Sequence, residues 1–438
     1  MSTRTVAFAT LGCRVNQVDT QEMQAGLEAR GWRTVPFGAP ADVVVVNSCT
    51  VTSRAEVSDR QAIRRASRLP ATTRVVVTGC WAQVDPEAVA RVRGVDLVVG
   101  TADRGRLPDL LDSLLDSPPT RPSVEVGRDW SADGPLVQPP ASGARSRAFV
   151  KVQDGCQHRC AFCIVPRARG GSRSRPPEVV LEHVHALVAR GHREVTLTGV
   201  DMGHYGADLV PRTTLAALLR AVVAVGGLRW VRLSSVLPAY FTPELIEVIT
   251  GSKVIAPHLH LPLQSGSPRI LRRMRRPYTV TMYRTLVERL AEAVPGLGLG
   301  TDVIVGFPGE GEPEFGETLA LVRALPFSYL HVFPYSDRPG TEAIDLDGRV
   351  DARTIADRGR RLRALGGVRS VAFRRGLVGT TQEALVLETR DRPTGRLVGL
   401  TGNYVEVAFE GADDLMRSVV RLRIRGVDGD TTHGEWAA

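Results

Sequence analysis

The sequence predicts an α/β protein in three parts: a domain around a parallel sheet, an open barrel of β/α units, and a small all-β barrel. Three observations predict it. Apolar, β-branched runs alternate with helical stretches through the N-terminal part, and continuous runs of that kind mark parallel strands covered on both faces. A second, longer strand–helix series fills the middle of the chain. Beyond Arg375 the pattern changes to short alternating strands punctuated by Gly and Asp. At 438 residues the chain can bury two or three cores.

In chain order, the first runs are VAFAT (Val6–Thr10), DVVVVN (Asp42–Asn47), RVVVTG (Arg74–Gly79) and DLVVG (Asp96–Gly100). Helical stretches lie between them around Asp19–Arg30, Arg54–Arg68 and Pro86–Arg93. Residues 1–116 read as a small flavodoxin-like domain. Residues 117–143 are rich in Pro, Ser and Gly, the composition of an extended, semi-stiff linker. Residues 144–375 carry RAFVKVQ, EVTLTGV, RWVRLSSV, HLHLPL, GTDVIVG and YLHVFPY. Their helices fall near Pro177–Arg190, Leu215–Val225, Pro243–Thr250, Met282–Ala293 and Glu312–Ala324. Six such units fit a partial, TIM-like barrel whose site lies at the C-terminal ends of its strands. After a basic helical stretch, Ala352–Arg375, come ALVLETR, GRLVGLT, YVEVAFEG and VVRLRIRG. These assign residues 376–438 to a third domain, a small β-barrel.

Six cysteines carry the strongest chemical signal, in two sets of three with none left over. Cys156, Cys160 and Cys163 form a C-x3-C-x2-C run in DGCQHRCAFC, on the loop after the first barrel strand. Cys13, Cys49 and Cys80 stand in LGC, NSC and TGC, each just past an apolar run. All three are therefore expected at the carboxyl edge of the sheet, where open α/β folds bind ligands. Neighbouring helix N-termini would favour thiolates and an anionic cluster there. Iron–sulfur clusters are held by Cys thiolates and ordinarily take four. A site offering three leaves one iron open for chemistry. A zinc knuckle competes for the loop, but structural zinc takes four ligands, and His158, inside the loop, is badly placed to complete the set.

The opening residues, MSTRTVAFATLGC, lack a signal peptide's apolar stretch, and no run approaches the roughly 18 apolar residues of a membrane span. A cytoplasmic location with no membrane partner is expected. In that reducing compartment a cysteine set binds metal or catalyses more readily than it forms disulfides. The net charge of +9 and pI near 9.7 allow an anionic partner, nucleic acid first. Of 56 basic residues only Lys151 and Lys253 are lysine, which suggests a GC-rich genome, so the placement of arginine counts for more than its number.

DGCQHRCAFC followed by IVPRARGGSRSR resembles the radical S-adenosylmethionine (SAM) superfamily. LGCRVNQVDT, VVNSCTVT, VVTGCWAQ, VKVQDGC, CIVPRARGGSRS, TLTGVD, HLPLQSGS, TDVIVGFPGE and HVFPYS together are similar to the methylthiotransferase family, over nearly the whole chain. LGCRVNQ and CTVTSRAEVSDRQAIRRA are closest to the branch acting on N6-threonylcarbamoyladenosine at tRNA position 37, next to the anticodon. The resemblance implies a radical-SAM core, a TRAM-like C-terminal barrel and two [4Fe–4S] clusters. Cys156, Cys160 and Cys163 would hold the SAM-cleaving cluster, and Cys13, Cys49 and Cys80 the sulfur-transfer cluster. SAM is then the cofactor and tRNA the partner, with an electron donor and a sulfur source besides. One SAM supplies the methyl group, placed on a sulfur at the N-terminal cluster. A second supplies the radical that removes hydrogen from adenine C2, where the methylthio group is delivered. An unactivated C–H bond has no useful acidity, so no catalytic carboxylate pair is expected.

The same resemblance places cofactor contacts at strand ends: Thr198, Gly199, Ser234, Gln264 and the loop around Gly306. Ordinary barrel-rim packing is the competing reading. TGVD stands where the superfamily often has Gly-Gly-Glu, which leaves the amino-group ligand open. Arginines cluster at Arg60/Arg64/Arg68, Arg167–Arg175, Arg269–Arg276 and Arg353–Arg375. Of these and the last domain, Arg272, Arg273, Arg421 and Arg423 are expected to contact tRNA phosphates, against the alternative of solvated faces. From Arg374 onward nine Arg face ten Asp+Glu, so any grip there must be local; Arg421, Arg423 and Arg425 alternate onto one strand face. His258 and His260 alternate likewise and read as packed or barrel-lining. No histidine precedes His158, which excludes the Asp-x-His-x-x-Gly motif of cobalamin modules. Two other functions compete: a methylthiotransferase for isopentenyladenosine in tRNA or for a ribosomal-protein aspartate, and a non-catalytic iron–sulfur RNA-binding sensor. A sensor has no use for SAM, and two three-cysteine sites argue against it.

Overall fold

The computed structural model describes residues 3–70, 72–117, 119–130 and 146–437. The chain forms two compact units. The first is built from Met1–Ser142, Gln153–Arg173 and Ser336–Ile344, the second from Gly143–Val152, Ser174–Tyr335 and Asp345–Ala438.

The first unit is a six-stranded parallel sheet of β1 (Thr5–Thr10), β2 (Arg33–Val35), β3 (Val43–Ser48), β4 (Arg74–Gly79), β5 (Leu97–Val99) and β6 (Ser123–Glu125), ordered β2-β1-β3-β4-β5-β6. Every residue of β3 is buried, as a central strand covered on both faces requires. Its side chains alternate between two cores. Val44 and Val46 pack with Val75, Val77, Ile63 and Trp81, whereas Val43 and Val45 pack with Val76, Leu27, Leu107 and Leu111. Helix α1 (Arg14–Glu28) thus covers one face, and α2 (Ser53–Ala66) with the short α3 (Cys80–Val84) covers the other. Strand β6 corrects the expectation of a continuous linker over 117–143. Ser123, Val124 and Glu125 pair in parallel with Leu97, Val98 and Val99, because the open edge of β5 offers unpaired N–H and C=O groups to any extended segment alongside. Residues 118 and 131–143 of that expected linker lie outside the described residues.

The second unit holds the six predicted barrel strands: β7 (Arg147–Lys151), β8 (Glu194–Thr198), β9 (Trp230–Leu233), β10 (His258–His260), β11 (Gly298–Val305) and β12 (Tyr329–Pro334). They run parallel and in sequence order, as two hydrogen-bonded triplets joined by a bridge between Val231 and Ile255. Val150, Val195, Leu197, Val231, Leu233, Leu259, Leu299 and Val303 face the helix layer in one apolar core. The alternate positions line the opposite, inner face and are polar: Lys151, Glu194, Thr196, Arg232, His258 and His260, all buried. Arg232 and Glu194 form a bidentate pair there, at 3.0 Å for both bonds.

The C-terminal strands β13 (Thr381–Arg390), β14 (Leu397–Thr401), β15 (Glu406–Phe409), β16 (Val419–Asp428) and β17 (Thr431–Trp436) close into a barrel ordered β13-β14-β15-β17-β16. Expected as a third domain at 376–438, this barrel belongs to the second unit. The reason is a shared interface: Arg232 donates to the Gly402 and Thr401 carbonyls at 2.9 and 3.3 Å, and Trp230, Ala256 and Leu385 form a small apolar cluster. Among the described residues no helix is long and apolar enough to cross a membrane.

Candidate functional site

Strands β1, β3 and β4 are neighbours in one parallel sheet, so their carboxyl ends lie side by side. Cys49 follows β3 directly, Cys80 follows β4 as the first residue of α3, and Cys13 is the N-cap of α1 just beyond β1. The fold thereby gathers three residues that the sequence keeps far apart. The Cys13 and Cys80 sulfurs stand 3.8 and 4.0 Å from the same atom, Asn16 Oδ1. Gly12 closes the third side. At its φ of +92° a Cβ would fall 2.8 Å from Cys49 Cβ and 2.9 Å from its sulfur, so only glycine lets the chain pass this close. Cys49 and Cys80 are buried and Cys13 is exposed.

Buried polar groups fix this ring. Asn16 donates to the Leu11 and Ser48 carbonyls at 2.8 and 2.9 Å, and Asn47 donates to the Asn16 carbonyl at 2.9 Å. The Cys49 N–H donates to the Asp59 carboxylate at 3.0 Å. Burial pushes the Cys49 thiol up to about 12, and the Cys80 and Cys13 thiols add to the rise. Burial also raises Cys80, with Arg169 pulling the other way. At Cys49 and Cys80 burial therefore works against the ionisation that neighbouring helix N-termini are expected to favour. A bound cation replaces the protons and removes that penalty, which is why crowded, buried thiols suit a metal centre.

The C-x3-C-x2-C loop leaves β7 and belongs to the first unit. Its three cysteines are half-buried. The Cys156 N–H donates to the Gly170 carbonyl at 3.0 Å, the Cys163 N–H to the Cys160 carbonyl at 3.0 Å, and the His158 N–H points at the Cys156 sulfur at 3.4 Å. The loop ends in the short helix Val165–Arg169, and Arg169 was not singled out by sequence reasoning, which grouped it with exposed phosphate-binding arginines. It is instead almost wholly buried. Its guanidinium donates to Asp154 at 2.9 and 3.0 Å, to Asp19 at 2.7 Å and to Asn16 Oδ1 at 2.6 Å. Arg104 pairs with the same two carboxylates. One side chain therefore ties the loop to the asparagine that touches Cys13 and Cys80. The signal available in the sequence was the string NQVD after LGC, polar groups on a helix that packs against the sheet.

The other expected positions lie in the second unit. Thr198 ends β8 buried, its carbonyl accepting from the Val152 N–H at 2.9 Å, and Gly199 follows it. Ser234, just past β9, is buried with its hydroxyl 3.4 Å from the Met202 sulfur. Gln264 takes a left-handed φ of +65° and its backbone bridges to β11 through the Ile304 N–H and Asp302 carbonyl. The Gly306 N–H donates to Glu310 at 3.0 Å, and Glu310 is held in turn by Arg358 at 2.8 Å. Of the expected RNA contacts, Arg272 is exposed, while Arg273 is engaged with the Pro308 carbonyl at 3.0 Å and with Asp347. Arg421 and Arg423 are exposed and alternate with buried Leu422 and Ile424. His260 lies within 3.2 Å of Asp302, which also meets His331 at 3.1 Å, two partners sequence reasoning did not identify.

Known proteins fit this architecture. The family described as the Radical SAM superfamily matches residues 150–322, and one described as uncharacterized protein family UPF0004 matches residues 5–100. The chain is 38% identical over 423 residues to the threonylcarbamoyladenosine tRNA methylthiotransferase MtaB of Bacillus subtilis (strain 168), covering 96% of this chain and 93% of the relative. It is 39% identical over 415 residues to the protein of that name from Aquifex aeolicus (strain VF5), covering 94% and 98%. A tRNA-2-methylthio-N(6)-dimethylallyladenosine synthase of Parafrankia sp. (strain EAN1pec) is 37% identical over 438 residues, covering 96% and 88%. Among solved structures, the radical S-adenosylmethionine methyltransferase TsrM from Kitasatospora setae superposes with a TM-score of 0.57 at 17% identity, covering 76% of this chain and 75% of that one, a likeness of fold alone. With both cysteine sets in place and identity sustained along nearly the full length, the chain belongs to the radical SAM tRNA methylthiotransferase family.

Proposed function

We propose that the chain methylthiolates C2 of N6-threonylcarbamoyladenosine at tRNA position 37, using a second [4Fe–4S] cluster on Cys13, Cys49 and Cys80 beside the one on Cys156, Cys160 and Cys163. Membership of the family brings SAM and one [4Fe–4S] cluster with it. The observation that carries the second is the convergence of Cys13 and Cys80 on Asn16, with Gly12 pressed against Cys49. Three free, crowded thiols in a rigid polar frame fit a three-thiolate centre. Bound there, such clusters supply the electron that opens SAM and the sulfur that is transferred. The chain's own residues do the rest. Asn16, Asp59 and Arg169 hold the cysteine ring in place; Thr198, Gly199, Ser234, Gln264 and Gly306 are proposed to line the cofactor; Arg272, Arg273, Arg421 and Arg423 are proposed to meet RNA phosphates, Arg273 while also bonding the Pro308 carbonyl of the loop after Gly306. An electron donor and a sulfur source complete the reaction.

The threonylcarbamoyl reading is supported by the two relatives named for it and by the segment LGCRVNQ. A second reading, dimethylallyladenosine as substrate, is favoured by relatives of that name at 37–40% identity. Mass spectrometry of tRNA nucleosides from wild-type and deletion strains separates them. The expected result is loss of the 2-methylthio form of threonylcarbamoyladenosine with its unthiolated parent accumulating. Loss of the dimethylallyl product instead, or unchanged tRNA, defeats the proposal.

A further inference from the structure

Strands β10, β11 and β12 place one polar layer on the barrel's inner face. His260 lies opposite Gly300, Gly300 opposite Tyr329, and Asp302 opposite His331. Gly300 makes the layer possible, since a Cβ there would meet the Tyr329 ring at 2.0 Å. With that space open, the Tyr329 ring lies 6.0 Å from His260 and 5.2 Å from His331, and its hydroxyl is 2.9 Å from His258 Nε2. Asp302 Oδ1 sits between the two imidazoles, 3.2 Å from His260 Nε2 and 3.1 Å from His331 Nδ1. His260 is held from behind by Ser235 Oγ, 2.7 Å from its Nδ1.

Burial pushes the Asp302 carboxyl up, but the two imidazoles more than reverse this and hold it well below the usual carboxylate range. Asp302 is thus ionised and can only accept, so the hydrogen on His331 Nδ1 points at it. That arrangement leaves Nε2 for a ligand: an acceptor on the neutral ring, a donor on the imidazolium. The layer is closed at one end and open at the other. His260 is buried, whereas the His331 side chain is 54% exposed and Phe333, two residues further along the strand, is 40% exposed. Phe333 lies 6.4 Å from His331 edge to face and offers a ring to an unstacked base.

We propose that His331, oriented by Asp302 and His260, selects the carboxylate- and urea-bearing substituent of the substrate base, with Phe333 as the adjoining ring face. This rests on the threonylcarbamoyl reading above. A threonylcarbamoyl group carries a urea, a hydroxyl and a carboxylate, and each can bond the imidazole. A dimethylallyl group carries none, and covering His331 with hydrocarbon would strip water from a polar group without replacing its hydrogen bond.

The test is equilibrium binding of the full-length protein to synthetic anticodon stem–loops bearing threonylcarbamoyladenosine, dimethylallyladenosine or plain adenosine, with the last as reference. Wild type is expected to prefer the threonylcarbamoyl RNA. His331→Leu should lower that preference about ten-fold, the worth of one hydrogen bond to a charged partner, and His331→Gln should keep most of it. Variants that retain the wild-type preference would overturn the inference and leave the substrate reading standing. A wild-type protein that prefers the dimethylallyl RNA would overturn both.

Discussion

Replacing Arg169 by Met tests whether the buried ion network holds the two cysteine sets together. The guanidinium is the main cation facing Asp19 and Asp154, both almost fully buried, and it also donates to Asn16. Removing one partner of a buried pair costs about 3–5 kcal/mol, because the other charge stays desolvated and unpaired. Here Arg104 still reaches both carboxylates, at 3.3 Å from Asp154, so the low end applies, about 3 kcal/mol. That corresponds to roughly two powers of ten in the opening equilibrium of the first unit. Hydrogen exchange of β3 and β4, read by mass spectrometry on anaerobic protein, isolates that unit better than a global melt of a two-unit chain. Protection should fall about a hundred-fold in Arg169→Met and less in Arg169→Lys, which keeps the charge but cannot span three acceptors. Adding Asp154→Asn to Arg169→Met should recover at least 1 kcal/mol, since one stranded carboxylate is gone. Protection within two-fold of wild type, or no recovery in the double variant, would refute the reasoning.

Three further outcomes follow from the geometry. Burial raises the Asp59 carboxyl from 3.8 to about 7, so the folded first unit holds this proton more tightly than the unfolded chain. Its stabilising effect is full below pH 4 and fades as pH rises toward 7, by up to about 4 kcal/mol; Asp59→Asn should flatten that slope in denaturant titrations of iron-free protein, and an unchanged slope would count against it. Gly12→Ala drives a methyl group into Cys49 and strains a φ of +92°, so anaerobically reconstituted protein should lose about half its bound iron, measured by elemental analysis, while retaining the share on the Cys156 loop. Alanine at Arg423 should reduce the salt dependence of tRNA binding by about 0.9 in log–log slope, and at Arg421 by less, because Glu383 opposes it across the strand pair; filter binding against salt concentration measures both.

Much of the architecture was legible because it depends on local pattern. The run Val43–Val46 can only be a strand covered on both faces, and the alternation Arg421, Leu422, Arg423, Ile424 can only split between solvent and core. Strand β6 was not legible, since three residues of SVE acquire strand character only from the free edge of β5 beside them. The cysteine ring was inferred from parallel topology, which places residues after successive strands at one edge. What Cys49 and Cys80 would feel was not: burial, a property of the packed unit, raises both thiols and so works against the effect expected of helix ends.

Spacing along the chain determined the strands, the two cysteine sets and the family, because each is written in the order of residue types. Tertiary structure decided which charges are withdrawn from water. Arg169 looks in sequence like its solvent-facing neighbour Arg167, yet only the folded unit brings Asp19 and Asp154 around it. His260, Asp302 and His331 likewise become one group only when three strands align in register. Desolvation and register are set by residues far away in sequence, so no local pattern can announce them.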